Sequence, residues 1–204
     1  GRSGREAVLN NLPILNKKFK PDVIVANAEN SASGFGLTKK IANEFFNQGI
    51  DALTLGNHAW DQKEMLSYIE ECPKIIRPIN YPPGVPGKGE YKIELEDGRS
   101  LLIIQAMLRL FMNMSLEDPF ATVLNRLSSE FLGNTCSGIL IDMHGEATSE
   151  KNAFAHYFDG KVTAILGTHT HIPTSDERIL DNNTAYQTDV GMTGDYNSVI
   201  GMDK

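Results

Sequence analysis

Long apolar runs are missing from this sequence. Stretches such as residues 101–104 fall far short of the ~20 residues that a membrane-crossing helix needs, so no membrane partner is expected. Cysteine is scarce as well. Cys72 and Cys136 stand alone without C-x-x-C spacing, which favours reduced thiols of a cytoplasmic protein over a disulfide. Positive charge is in deficit: 19 Lys and Arg face 26 Asp and Glu, for a formal net charge of −7. That balance argues against a general nucleic-acid-binding patch and against affinity for anionic membrane. It leaves room for a small phosphorylated substrate, since a bound metal supplies local positive charge. Repeats and low-complexity tracts are absent, and 204 residues at 41% hydrophobic suffice for one core and a single domain, 1–204. There is no initiator Met before Gly1-Arg2-Ser3-Gly4, and Gly201-Met202-Asp203-Lys204 brings no closing element, so the chain is read as a fragment at both ends.

What is present is an alternation of two periodicities. Residues 5–19 carry a helical apolar stripe with a basic end, stopped by Pro21. Residues 22–26 read as a buried strand. Thr38 caps a helix with Ile41, Ala42, Phe45 and Phe46 inward, and Gly49 suits the position just past its end. A second strand is expected over 51–55. Asp61 and Glu64 resemble a capping box for a helix over 62–69. Pro78, Pro82, Pro83 and Pro86 make 75–89 irregular. Residues 91–95 and 100–105 flank Asp97-Gly98 as a hairpin. Further on, the pattern predicts a helix over 121–132, a strand over 138–141 and a helix capped by Thr148 and Ser149. Strands over 162–166 and 185–190 complete it. Strand–helix alternation with an inserted hairpin defines an α/β fold with a largely parallel central sheet.

In such sheets the functional groups gather beyond the carboxyl ends of the strands. Four predicted strands end in metal-capable side chains: Glu29 and Asn30, Asn57 and His58, His144, and His169 with His171. Four of the five histidines follow strands in this way. Side chains two apart on an extended segment point the same way, so His169 and His171 are expected to converge. Taken singly, each candidate has an ordinary reading. Glu29-Asn30 makes a turn and a cap, Asn57 caps a turn, and His144 joins Asp142 and Glu146 in a surface ion-pair cluster. Together these readings require four independent coincidences. Carboxylate, carboxamide and imidazole without thiolate suit Mn, Fe or Zn, and the number of donors suits two ions sharing a carboxylate.

Asn27-Ala28-Glu29-Asn30, Gly56-Asn57-His58, the stretch Asp142-Met143-His144-Gly145-Glu146-Ala147-Thr148-Ser149-Glu150 and Gly167-Thr168-His169-Thr170-His171 resemble the ordered motifs of the calcineurin-like metallophosphoesterases. With Thr188-Asp189-Val190-Gly191-Met192-Thr193-Gly194, they are most similar to the bacterial branch described as 2′,3′-cyclic-nucleotide 2′-phosphodiesterases. The resemblance implies a four-layer α/β sandwich, with mixed, largely parallel sheets flanked by helices. It implies two divalent or mixed-valence ions, iron or manganese foremost and zinc admissible. Glu29 would bridge them, with Asn30 and His171 on the first ion and Asn57, His144 and His169 on the second. A metal-bound hydroxide would attack phosphorus in line while His58 protonates the leaving oxygen. The implied partner is a nucleotide or small phosphodiester, RNA-derived fragments included, and a homo-oligomer is compatible.

Two departures stand out. The family's first motif, an Asp-bearing strand whose Asp ligates the first ion, has no counterpart before Gly1, so impaired activity is expected of this chain. Leu108 stands before Arg109 where the family has Gly. Two other functions remain open on the sequence: a non-catalytic nucleotide- or partner-binding regulator that keeps the site, and a phosphomonoesterase. Glu146, Thr148 and Asp189 are expected to surround the histidines, and Asp142 to orient a neighbour.

Overall fold

Period-3.6 and period-2 segments alternate in the computed structural model, which describes residues 1–204. Helix α1 (Arg2–Phe19) leads to β1 (Val25–Asn27), α2 (Lys39–Asn47), β2 (Ala52–Thr54), α3 (Met65–Glu71) and β3 (Ile75–Ile76). The hairpin β4 (Glu90–Glu94) and β5 (Ser100–Met107) follows, then α4 (Pro119–Leu127), β6 (Gly138–His144), α5 (Thr148–Phe158), β7 (Ala164–Thr168), β8 (Arg178–Ile179) and β9 (Ala185–Gln187). No helix is long and apolar enough to cross a membrane, and both cysteines are free.

Hydrogen bonding divides the strands into two sheets rather than one central sheet. The smaller has the parallel order β1-β2-β3, and the larger the order β4-β5-β6-β7-β9-β8, antiparallel only at its edge pairs. The division falls in the proline-rich segment. β3 pairs for two residues, where full irregularity was expected. The chain then loops around the Arg77 guanidinium, which donates to the carbonyls of Pro78, Val85, Pro86 and Gly87. The Asp97-Gly98 turn forms as its composition requires, with Gly98 at φ +85°.

Alternation along the strands distributes the core. Leu53 and Ile75 face α1, α2 and α3 through Leu12, Ile41, Phe45, Met65 and Ile69. Ala52 and Ile76, on the opposite face, pack against Ile103 of β5. Leu102, Ile104, Ile139, Ile141 and Ile165 face α4 and α5 through Val123, Phe154 and Phe158. A small apolar patch therefore joins the two sheets, and a larger core lies outside each.

Several local expectations shift. β1 begins three residues later than read, because the Ile24 amide bonds the Asp51 side chain instead of a strand partner. α4 starts two residues earlier, where Asp118 accepts from the amides of Phe120 and Ala121. Ala147, not Thr148 or Ser149, occupies the cap of α5, and no side chain closes it. Thr38 caps α2 through the Ile41 amide as expected. The register pairs Met107 with His144 and His144 with Thr168, so β5, β6 and β7 end level with one another.

Candidate metal centre

Two of the predicted donors emerge just past β1. The chain turns back through residues 28–36, closed by the Gly36 amide on the Glu29 carbonyl at 2.6 Å and the Ala32 amide on the Gly36 carbonyl at 2.9 Å. This turn buries the Glu29 carboxylate to 2% exposure. Asn30 Nδ2 donates to the Gly34 carbonyl at 2.8 Å, which fixes its amide so that Oδ1 faces His171 Nε2 at 3.2 Å. Past β2, Gly56 leaves room at the centre. A β-carbon there would overlap Glu29 Oε2 and lie 2.6 Å from His144 Nε2. Asn57 and His58 then diverge. Asn57 Oδ1 lies 2.8 Å from His144 Nε2, while the His58 ring Nδ1 meets Asp61 Oδ2 at 2.7 Å and its amide donates to Glu29 Oε2 at 3.2 Å. Asp61 is therefore not half of a capping box. It orients His58, while Glu64 accepts from the Lys39 amide and α3 starts after it.

The remaining donors belong to the larger sheet. His144 is the last residue of β6 and fully buried. Its Nδ1 lies 2.8 Å from Thr168 Oγ1, and Thr168 donates its single hydroxyl proton to Asp142 Oδ1 at 2.6 Å. Thr168 can then only accept from His144 Nδ1–H, so the Nε2 lone pair points into the site. Asp142 orients its neighbour, as expected. Its Oδ2 gathers Thr54 Oγ1 at 2.5 Å, Gln105 Nε2 at 3.1 Å and Asn27 Nδ2 at 3.2 Å.

Beyond β7 the segment expected to be extended is not. His169 has φ +109° and His171 φ +66°. The chain folds into a turn because Asp189 Oδ2 takes the Thr170 amide at 3.0 Å and the His171 carbonyl accepts from the Met192 amide at 3.1 Å. The two rings consequently part. His169 Nδ1 lies 3.2 Å from His144 Nε2, with its Nε2 toward Glu146 at 3.3 Å. His171 donates Nδ1–H to the Ile200 carbonyl at 2.8 Å, which turns the Nε2 lone pair toward Asn30.

The result is two places where acceptors face acceptors. In the first, one donor atom each from Glu29, His144 and His169 lie within 4.8 Å of one another, with Asn57 Oδ1 beside them. His144 Nε2 is 3.1 Å from Glu29 Oε1. In the second, Asn30 Oδ1 meets His171 Nε2. Such a set repels itself until a cation or a proton enters. Burial, only partly offset by the His58 amide, pushes the Glu29 carboxyl up to about 8. Burial and then the neighbouring His169 hold His144 well below its ordinary value, and burial also lowers His169. Lone pairs aimed at one point, a carboxylate without a fixed cation and the space that Gly56 keeps open together fit divalent metal.

Some participants were given no role in the site by the sequence. Lys151, Thr168, Gln105, Asn27 and the Asp61 side chain all hold donors in place, and only their partners reveal them. Phe35 is another. It lines the same cavity of about 730 Å³ as Glu29, His58, His169 and His171, edge-on to the His58 ring at 5.3 Å. Leu108, the departure noted in the sequence, is fully buried over Gly145, where a β-carbon would come within 2.7 Å of it. Glu150 accepts the amides of Arg109 and Leu110 rather than joining the cluster.

An α/β fold with parallel strands whose carboxyl ends carry this carboxylate, carboxamide and imidazole cluster defines the class: an α/β protein with a candidate metal site at the strand ends of two sheets. The comparisons narrow it. The sequence pattern of the YmdB-like protein family matches residues 1–204, and the chain belongs to that family. It is 45% identical over 204 residues to a 2′,3′-cyclic-nucleotide 2′-phosphodiesterase of Bacillus subtilis, covering all of this chain and 76% of that relative. The crystal structure of a hypothetical protein from Thermus thermophilus superposes with a TM-score of 0.90 at 46% identity, over 98% of this chain and 75% of that one. A structure described as a novel phosphatase from Mycoplasma pneumoniae superposes with a TM-score of 0.89 at 34% identity, over 98% and 72%.

Proposed function

We propose that this chain is a cytoplasmic metal-dependent phosphodiesterase acting on nucleotide phosphodiesters, with 2′,3′-cyclic nucleotides yielding 3′-nucleotides as the substrate class. The observation that carries the reading is the pair of acceptor-against-acceptor contacts, one around His144 and one between Asn30 and His171. The family membership and the name of the Bacillus subtilis relative support the substrate. The packing of helices, small sheet, large sheet and helices is read as the four-layer metallophosphoesterase sandwich.

Asn57, His144 and His169 would hold one ion, Asn30 and His171 the other, and Glu29 would lie between them. Iron or manganese suits these oxygen and nitrogen donors. Ions held there supply Lewis acidity and a lowered water pKa. The chain's own groups do the rest. Thr168 and Asp142 keep His144 in one tautomer, and Glu29 fixes the His58 backbone through its amide. Asp61 holds the His58 ring in the cavity, where it delivers a proton to the 2′-oxygen as the bond from phosphorus to that oxygen breaks. Water contributes the oxygen gained by phosphorus.

The test is His58→Ala. Turnover of a 2′,3′-cyclic nucleotide is expected to fall by about 10²–10⁴-fold, the usual contribution of a general acid, while bound metal measured by elemental analysis stays the same. Equal turnover removes His58 from the acid role. Tight nucleotide binding with no turnover even in the full-length protein favours the non-catalytic regulator instead.

A further inference from the structure

Lys151 is a charged residue with no access to water. Its side chain is 0% exposed and that of Asp189 1%, with 2.8 Å between Nζ and Oδ2. Two charges are tolerated so deep only when their hydrogen-bonding capacity is used. Here it is used on main chain. Lys151 Nζ also donates to the Thr168 carbonyl at 2.9 Å, Asp189 Oδ2 accepts the Thr170 amide at 3.0 Å and Oδ1 accepts the Gly191 amide at 2.9 Å. The bonds to residues 168 and 170 bracket His169. Both histidines of this turn lie in the left-handed region, which a β-carbon disfavours and which persists only when the surroundings impose it.

We propose that Lys151 and Asp189 are positioning residues, a buried clamp that holds the 169–171 turn so that His169 aims at the Glu29 and His144 cluster and His171 at Asn30. Its link to ligand geometry rests on the metal reading above. His144 depends on the clamp less, since it sits on β6, Thr168 is also held by the β6–β7 ladder, and Thr168 Oγ1 and Asp142 fix the ring. Loss of the pair should therefore loosen the two turn histidines more than the strand histidine. A merely structural ion pair would lower overall stability without that selectivity.

The experiment compares Lys151→Met and Asp189→Asn with Val123→Ala, a core truncation under α4 that serves as a stability control. Amide hydrogen exchange is followed in metal-free protein, and Mn²⁺ affinity by calorimetry. Exchange at Thr170 is expected to rise at least about tenfold while Ile141 and Met143 keep their rates, and Mn²⁺ affinity should fall about 10–100-fold, the usual effect of removing an outer-shell partner. Val123→Ala should lower Tm and leave both readouts unchanged. Unchanged exchange and affinity in the clamp variants, or an equal loss in Val123→Ala, overturns the clamp. If neither clamp variant folds, the parent decides: a Thr170 amide exchanging as slowly as those of β6 supports the clamp, and fast exchange overturns it. A parent that binds no Mn²⁺ defeats the metal reading, while the exchange arm still judges the clamp.

Discussion

The three-stranded sheet presents oxygen and the six-stranded sheet presents nitrogen. Glu29, Asn30 and Asn57 follow β1 and β2, whereas His144 ends β6 and His169 and His171 follow β7. The two halves are also held differently. The oxygen donors sit on turns closed by main-chain hydrogen bonds, on strands of three residues each. The nitrogen donors rest on longer strands and on buried charge, with Asp142, Lys151 and Asp189 beneath them. Neither half alone assembles the cluster around Glu29, so the site is a product of sheet docking. Docking rests on the patch of Ala52, Ile76 and Ile103 and on Gln105, whose amide pairs with both the N–H and the carbonyl of Leu55 and also reaches Asp142.

The most severe way to break this arrangement is to fill the space between the halves. Gly56→Ala places a methyl group against Glu29 Oε2 and His144 Nε2. Mn²⁺ affinity by calorimetry is expected to fall by more than about 100-fold, beyond the loss typical of outer-shell changes. Affinity equal to that of the parent would mean that the oxygen and nitrogen donors do not share an ion.

A smaller effect tests the junction itself. Gln105→Leu keeps the volume and removes every polar contact of that side chain, leaving the Leu55 backbone without that partner in the interior. The expected cost is about 2–4 kcal/mol, a fall in Tm of roughly 5–15 °C for a chain of this size. If thermal melting is unchanged, the apolar patch and the bonds of Asn27 and Thr54 to Asp142 dock the sheets without Gln105.

The mildest test uses pH, because the halves titrate in opposite senses. Glu29 has a folded-state pKa raised to about 8, so its contribution to stability is present below the ordinary carboxyl value and is lost as pH rises toward 8. His144 and His169 have lowered values, so they cost stability as pH falls through the ordinary histidine value of 6.5. Between about 6.5 and 8 the Glu29 effect acts against little else in the cluster. Metal-free protein should therefore lose denaturant resistance across that window, and Glu29→Gln should flatten the slope. Added Mn²⁺ should reverse it, since metal displaces the proton. A flat profile in the parent would show that Glu29 is already ionised without metal.

Much of this was legible before any fold. The α2 cap at Thr38, the Asp97-Gly98 hairpin and the strand-end placement of Glu29, Asn57, His144 and His169 follow from neighbours in sequence, and local chemistry is enough to read them. Asp61 misled because a carboxylate three residues before Glu64 has two local uses, and the nearby His58 ring took it. The His169–His171 segment misled for the opposite reason. Threonines favour extended chain, but the Asp189 carboxylate, brought in from beyond β9, outweighs that preference.

By itself the sequence determined which atoms are available and after which strands they come, because donor chemistry and burial periodicity are properties of short segments. Tertiary structure alone decided how they are used. Gln105 meets Leu55 across 50 residues and Lys151 meets Asp189 across 38. Pairings over such distances set the split into two sheets, the tautomer of His144 and the divergence of His169 from His171. They depend on which surfaces dock, and no local pattern encodes that.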